Sequence, residues 1–278
     1  MLERTEEIRK HYDADPQKEW DRLKKKHPYE KYITVRMMDR YLRPGDTILD
    51  IGGGPGHYAI HYAKAGHQVT LLDLSGENVR FAKKKARQYG VKLTALQGNA
   101  LDLSRFPDES FDAVFLMGPL YHLMTEENRV KAVTEAKRVL KTGGHLFSSF
   151  ILMFGGVIYS LREIPETILR PEEQPLFEVA ARDESLACEA FTYACLTTVR
   201  DASALLNAVP GLETLTVFGQ EGILAPYKYE LNRCPRKTRL AWYDYALRFC
   251  EKPEYLTHAE HLMIVSKKGC CTAPRTKI

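Results

Sequence analysis

No stretch of the chain reaches the roughly 18 consecutive apolar residues that a membrane helix needs, so no membrane span is predicted. Charge of one sign is also lacking. The 40 Lys and Arg against 36 Asp and Glu leave a formal charge of +4, too mild to argue by itself for a nucleic-acid or membrane surface. The basic runs Lys24-Lys25-Lys26 and Lys83-Lys84-Lys85 have acids nearby and read as solvated helix faces. Cysteine is sparse. The six thiols form no Cys-x-x-Cys pair and no zinc-like spacing with histidine, so no metal site is expected and a reduced, cytoplasmic setting is. The N-terminus is charged and has no signal-peptide core. Residues 269–278, which include Cys270 and Cys271, are expected to form a disordered tail. No internal repeat or low-complexity linker occurs.

What is present is enough apolar material, 44% of residues, for a sizeable core, and one informative run. Thr47 to Ile51 is a short apolar strand carrying Asp50, and it breaks into Gly52-Gly53-Gly54-Pro55-Gly56. A helix from His57 to Ala65 follows, closed by Gly66. A strand feeding a glycine turn and then a helix opens nucleotide-binding α/β sheets. Glycine there lets the backbone approach a ligand where a Cβ would collide. The acid at the strand end discriminates between ligands. A pyrophosphate wants helix amides without a carboxylate beside them; a carboxylate suits a ligand that carries positive charge. The Gly-x-Gly-x-x-Gly pattern of dinucleotide enzymes fails, because His57 occupies the place of its third glycine.

Strands and helices then alternate. Strand two, Gln68 to Leu72, ends at Asp73, and Ser75 is placed to cap the next helix, whose apolar face is Val79, Ala82, Ala86 and Tyr89. Lys92 to Gln97 and Phe111 to Met117 read as strands three and four. Thr125 caps a helix that Gly143-Gly144 stop before strand five, His145 to Leu152. The alternation indicates a doubly wound parallel sheet. Residues 1–43 read as a helical cap with helices at Glu6–His11, Lys18–Lys26 and Tyr29–Leu42. Residues 44–152 form the α/β core and 201–268 complete the sheet, with strands at Leu212–Gly219 and His261–Ser266 flanking an amphipathic helix at Lys237–Cys250. Residues 153–200 are too long for a simple connection and read as a mostly helical insertion, a lid over the ligand edge.

The motif Asp50, Gly52, Gly54, Gly56 resembles the first motif of class I S-adenosylmethionine (SAM) methyltransferases, Asp-x-Gly-x-Gly-x-Gly. The resemblance is strong over about residues 30 to 150 and holds only in outline beyond. It implies a seven-stranded Rossmann-like sheet and SAM as cofactor. Asp73, 21 residues after Gly52, would accept the ribose hydroxyls, with Leu74 beside it. Asn99 and Ala100 stand where the family usually has an acid for adenine. Asn keeps an acceptor oxygen and adds a donor, but loses a charge-assisted bond. The stretch Met117-Gly118-Pro119-Leu120-Tyr121-His122 would meet the SAM amino group through its main chain and flank the methyl. Gly118 replaces the polar first residue of the Asn/Asp-Pro-Pro-Tyr motif, which argues against nucleobase-amine and glutamine-amide methylation.

Methyl transfer needs alignment and desolvation from the protein, and a base only where the acceptor must lose a proton. His122 is the candidate base and Tyr121 the candidate wall of the methyl site; a structural His122 hydrogen-bonded to a loop carbonyl reads slightly ahead of the base from the sequence. Tyr12 and His11 could close over the site, and His57 and Tyr58 could touch the cofactor's carboxylate end. The N-terminal helices and insertion residues Met153, Phe154, Val157, Ile158, Tyr159, Phe191 and Tyr193 are expected to supply an apolar acceptor pocket. The expected function is methylation of a small-molecule acceptor at O, N, S or C. The alternatives are an RNA or protein methyltransferase, a silent SAM binder and, from another class, an NAD(P)-dependent oxidoreductase.

Overall fold

The computed structural model describes residues 4–269; the cysteines at 270 and 271 and the rest of the expected tail lie outside the described residues. A parallel core runs through β1 (Thr47–Ile51), β2 (Gln68–Asp73), β3 (Thr94–Gln97), β4 (Phe111–Leu116) and β5 (Leu140–Leu152). These strands stand in the order β3-β2-β1-β4-β5. After two further strands, β6 (Leu186–Glu189) and β7 (Tyr193–Thr197), come β8 (Leu212–Gly219) and β9 (His261–Lys268). β9 pairs antiparallel with β5 and β8 with β9, which gives the expected closing hairpin of a seven-stranded sheet.

The helices are α1 (Thr5–Ala14), α2 (Pro16–Asp21), α3 (Pro28–Met38), α4 (His57–Lys64), α5 (Gly76–Gln88), α6 (Glu126–Val139), α7 (Met153–Glu163), α8 (Gln174–Ala181), α9 (Val199–Asn207), α10 (Lys228–Arg233) and α11 (Arg236–Ala246). Two apolar layers cover the sheet. One holds Ile33, Ile48, Leu71, Phe115 and Phe147 with α3, α4 and α11; the other holds Leu49, Leu72, Val114 and Leu146 with α6 and α9. Central strands buried on both faces are what helices on either side of a parallel sheet require.

Three expectations change. The insertion is helical through Met153–Glu163 and Gln174–Ala181, as expected, but it ends in an antiparallel hairpin, β6 and β7, that the sequence did not suggest. β7 extends the sheet to nine strands by pairing with Ile151 and Leu152 of β5. β9 occupies the other edge of β5 there, so β7 lies beyond the end of β4, above the ligand edge. The predicted helix over Lys18–Lys26 is α2 followed by a π-helical turn, Arg22–Lys26. Gly143-Gly144 do not separate helix from strand. β5 begins at Leu140, and the positive φ of Gly143, +81°, is taken up as an irregularity in its pairing with β4.

Register places the site. Ile51 lies opposite Leu72 on one side and Leu116 on the other. β1, β2 and β4 therefore end together, and the residues that follow them converge on one edge, where open α/β sheets take ligands. Gly52 shows why the turn needs glycine. Its φ is +71°, and a Cβ would stand 2.6 Å from Pro119 Cδ of the neighbouring turn.

Candidate active site

A cleft opens at this edge, walled by the Asp50–Pro55 loop, Leu72–Ser75, Gly98–Ala100 and Met117–Pro119, with Tyr121 and His122. Of the residues singled out from sequence, Asp50, Gly52, Gly54, Asp73, Leu74, Asn99, Ala100, Met117, Tyr121 and His122 all line it. Gly56 does not. It begins α4 at φ +90°, and a Cβ there would come 3.1 Å from Ala82 Cβ, so its smallness serves the packing of α4 on α5.

Asp50 is 1% exposed, and its Oδ2 has no hydrogen-bond partner. Burial, with nearby Asp73, pushes its carboxyl up to about 7. An orphaned carboxylate oxygen in the wall of a cleft is costly unless a cation or donor meets it. Asp73 is held from three directions. Its Oδ2 accepts Gly54 N–H at 2.7 Å, and its Oδ1 accepts Ser75 N–H at 2.9 Å and the Asn78 amide at 3.3 Å. Burial raises its pKa against these donors, which fix the two oxygens at the cleft wall. Asn99 turns its Oδ1 onto Leu101 N–H at 3.0 Å, so its amide N–H groups remain as donors.

The cleft also carries a hydrogen-bonded tyrosine–histidine pair. His122, at the end of the 3-10 turn Pro119–Tyr121, is buried. Its Nδ1 lies 2.9 Å from the Tyr193 carbonyl oxygen, the first residue of β7. A carbonyl only accepts, so the proton sits on Nδ1 and leaves a lone pair on Nε2. That lone pair accepts the Tyr12 hydroxyl at 2.7 Å. Burial pulls the His122 pKa to about 4, so the ring is neutral near pH 7. Tyr121 donates its hydroxyl to Met117 O at 3.2 Å.

The N-terminal cap roofs the cleft. Thr5, Ile8, Arg9, Tyr12, Glu19, Arg22 and Leu23 line it from above. α1 is pinned by Tyr12 at one point and by Asp13 at another, where the carboxylate accepts Ser75 Oγ at 2.6 Å and Glu77 N–H at 3.2 Å. The insertion contributes differently from expectation. None of Met153, Phe154, Val157, Ile158, Tyr159, Phe191 or Tyr193 lines this cleft. Met153 and Ile158 are core, and Phe154, Tyr159 and Phe191 are exposed. Phe191 reaches the His122 ring edge-on at 5.8 Å between centroids, and Tyr193 acts through its carbonyl.

Sequence reasoning missed a buried ion network behind Arg22. The guanidinium donates to Glu19 at 2.8 Å and to Glu30 at 2.7 Å. Glu30, Glu221 and His261 bring polar atoms within 4.8 Å of one another. Glu221 accepts N–H groups of Glu260 and His261 at 3.1 and 3.0 Å and His261 Nδ1–H at 2.6 Å. Burial pushes the Glu221 carboxyl up, but its three donors hold it as the anion. Burial lowers the His261 pKa, Glu221 and Glu30 raise it, and the carboxylates win at about 9. Arg22 and the His261 imidazolium thereby balance Glu30 and Glu221. No local motif signals this cluster, since its members come from the π-helical turn, α3, the turn after β8 and the start of β9.

Glu221→Gln is expected to take from the buried His261 imidazolium its hydrogen-bonded carboxylate and to cost about 3–5 kcal/mol, a fall in Tm of roughly 10 °C for a chain of this size. His261 has a folded pKa above its unfolded 6.5, so its contribution is full below pH 6.5 and is lost as pH rises through about 9. Thermal melts across that window should show this slope in the wild type and lose it in the variant. An unchanged Tm would mean that the pair carries no stability.

Comparison with known proteins agrees with this architecture. Residues 48–144 match the family model described as Methyltransferase domain. Over those residues the chain is similar to methyltransferase domains. It is 35% identical to 27-O-demethylrifamycin SV methyltransferase of Amycolatopsis mediterranei over 129 residues, which cover 43% of this chain and 46% of that protein. It is 27% identical to the ubiquinone biosynthesis O-methyltransferase of Serratia proteamaculans over 180 residues, 58% of this chain and 73% of that one. The chain thus spans less than half the length of the first of these relatives. Among solved structures, 1,6-didemethyltoxoflavin-N1-methyltransferase of Burkholderia thailandensis, with its substrate and S-adenosylhomocysteine bound, superposes with a TM-score of 0.55. That match covers 94% of this chain and 87% of the other at 14% identity, and it speaks to the fold alone.

Proposed function

We propose that the protein is a SAM-dependent methyltransferase acting on a small-molecule acceptor that carries a dissociable proton, with His122 receiving that proton. The observation that carries this reading is the pairing, in one cleft, of an orphaned carboxylate at Asp50 with a neutral, cap-held histidine at His122. The relatives that methylate rifamycin and ubiquinone precursors support a small-molecule acceptor by similarity.

The residues fit SAM. Asp50 offers its unmet oxygen to the amino group or sulfonium, and the glycine loop leaves room for close approach. Asp73, pre-set by three donors, accepts the ribose hydroxyls, and Asn99 meets the adenine edge as a donor through its free amide. When bound, SAM supplies an electrophilic methyl on a sulfonium. The chain's own part is to align, to exclude water and to take a proton. α1 closes the cleft through Tyr12 and Asp13. An acceptor hydroxyl or amine that displaces Tyr12 inherits the Nε2 lone pair. A base with a pKa of about 4 is too weak to ionise an alcohol or phenol beforehand. It is strong enough to take the proton as the new bond makes the acceptor atom cationic and acidic. Tyr193 O steadies the imidazolium that results.

Asp73→Ala tests the cofactor half of this account. Losing two charge-assisted acceptors is expected to weaken SAM binding by about 10- to 100-fold in a calorimetric titration. Wild-type affinity in the variant would remove Asp73 from the ribose site.

A further inference from the structure

Outside the cleft, the basic run at residues 24–26 does not behave as a uniform solvated face. Lys25 pairs with Asp21 at 2.8 Å, whereas Lys24 turns to a groove between α3 and α4. This groove, of about 500 Å³, is lined by Lys24, Lys31, Arg36 and Lys64 and by no carboxylate. None of these four cations has an ion-pair partner among the described residues. Its walls include the rings of Trp20, Tyr32 and Tyr89. Lys64 sits over Tyr89 at 3.6 Å, and Lys31 donates to the His57 carbonyl at 3.3 Å. We propose that this groove is a second ligand site, which binds a small planar organic dianion, phosphorylated or carboxylated and about the length of one nucleotide.

Each attribute of the ligand follows from the walls. Four like charges gathered in a lining that holds no carboxylate focus a positive potential, which a bound dianion relieves. Burial pulls the Lys31 pKa to about 8, with Lys64 adding to the shift, as expected of an amine that lacks an anion. Aromatic rings beside cations give a flat ring a stacking surface. The length comes from α4. His57, Ile60, His61 and Lys64 share the groove face, and the rise from the first to the last of them is roughly 10 Å. That is too short for an extended polyanion. The groove is separate from the cofactor cleft, with His57 and Leu23 forming the wall between them. Trp20 stacks on His57 at 3.9 Å along that wall, so an occupant would rest on the joint between the N-terminal cap and α4.

Pyridoxal 5′-phosphate is a suitable probe: flat, dianionic and trappable. The Lys31 amine would add to its aldehyde carbon, the carbonyl oxygen would leave as water, and borohydride would reduce the imine to a stable amine for peptide mapping. Lys31 is expected to be the main labelled residue at one equivalent, with pyridoxal lacking the phosphate labelling it at least tenfold less. Lys24→Gln/Lys64→Gln, which alters two exposed residues, should cut Lys31 labelling roughly tenfold. S-adenosylhomocysteine should not protect Lys31. Labelling spread over exposed lysines, or equal labelling of the double variant, would overturn the proposal. So would protection by S-adenosylhomocysteine, which would place the probe in the cofactor cleft. SAM titration of the double variant is read separately, so loss of the groove and loss of cofactor binding are distinguishable.

Discussion

Asp50→Asn is expected to weaken SAM binding by about 10- to 100-fold and to abolish its pH dependence in the acid range. The reason is electrostatic. Asp50 is buried, its Oδ2 is unmet, and burial with nearby Asp73 pushes its carboxyl up to about 7. A cationic ligand binds the ionised form. Affinity in the wild type should therefore rise roughly 20-fold between about pH 5.5 and pH 7.5, as the carboxyl gives up its proton. Asn keeps the shape and removes the charge, so its affinity should be low and flat across that range. Calorimetric titrations at the two pH values check both statements. A variant with wild-type affinity, or a wild type with no slope, would show that Asp50 is a structural acid.

His122→Ala is expected to lower kcat by about 10²- to 10³-fold, the range for loss of a positioned proton acceptor, while SAM affinity stays within about threefold. The split follows from contacts. His122 holds Tyr12 and Tyr193, one from the cap and one from β7, while Asp73 is held by Gly54, Ser75 and Asn78. The pH profile separates a base from a scaffold. With a pKa of about 4, wild-type kcat should be level down to about pH 5 and fall below it, as the ring protonates and loses its lone pair. The variant should lack that limb. Equal kcat in variant and wild type, measured on the methyl-accepting fraction of a cell extract, would leave His122 as scaffold.

The parts of this site legible in the sequence are those set by short-range geometry. Asp50 and the glycine turn and Asp73 at the end of β2 sit at strand-to-helix junctions, Asn99 sits in the turn after β3, and strand register brings the three together. Ser75 and Thr125 cap their helices as their positions suggested. What the sequence hid is set by long-range contact. His122 takes its two partners from 110 and 71 residues away. Glu221 meets His261 across 40 residues, next to Glu30. β6 and β7 were hidden for a related reason. Leu-Ala-Cys-Glu and Tyr-Ala-Cys-Leu-Thr are short and weakly patterned, and it is pairing with each other and with β5 that makes them strands. The lysine run at 24–26 looked uniform because composition does not show which side chain meets Asp21 and which turns to the groove.

Incubating the purified protein with methyl-labelled SAM and a cell extract, then separating the label by size, tests the central claim most directly. The account predicts label in the small-molecule fraction, dependent on Asp50 and His122 and ready for identification of the acceptor by mass spectrometry. Label in protein or RNA, or no transfer by a protein that binds SAM, would contradict it.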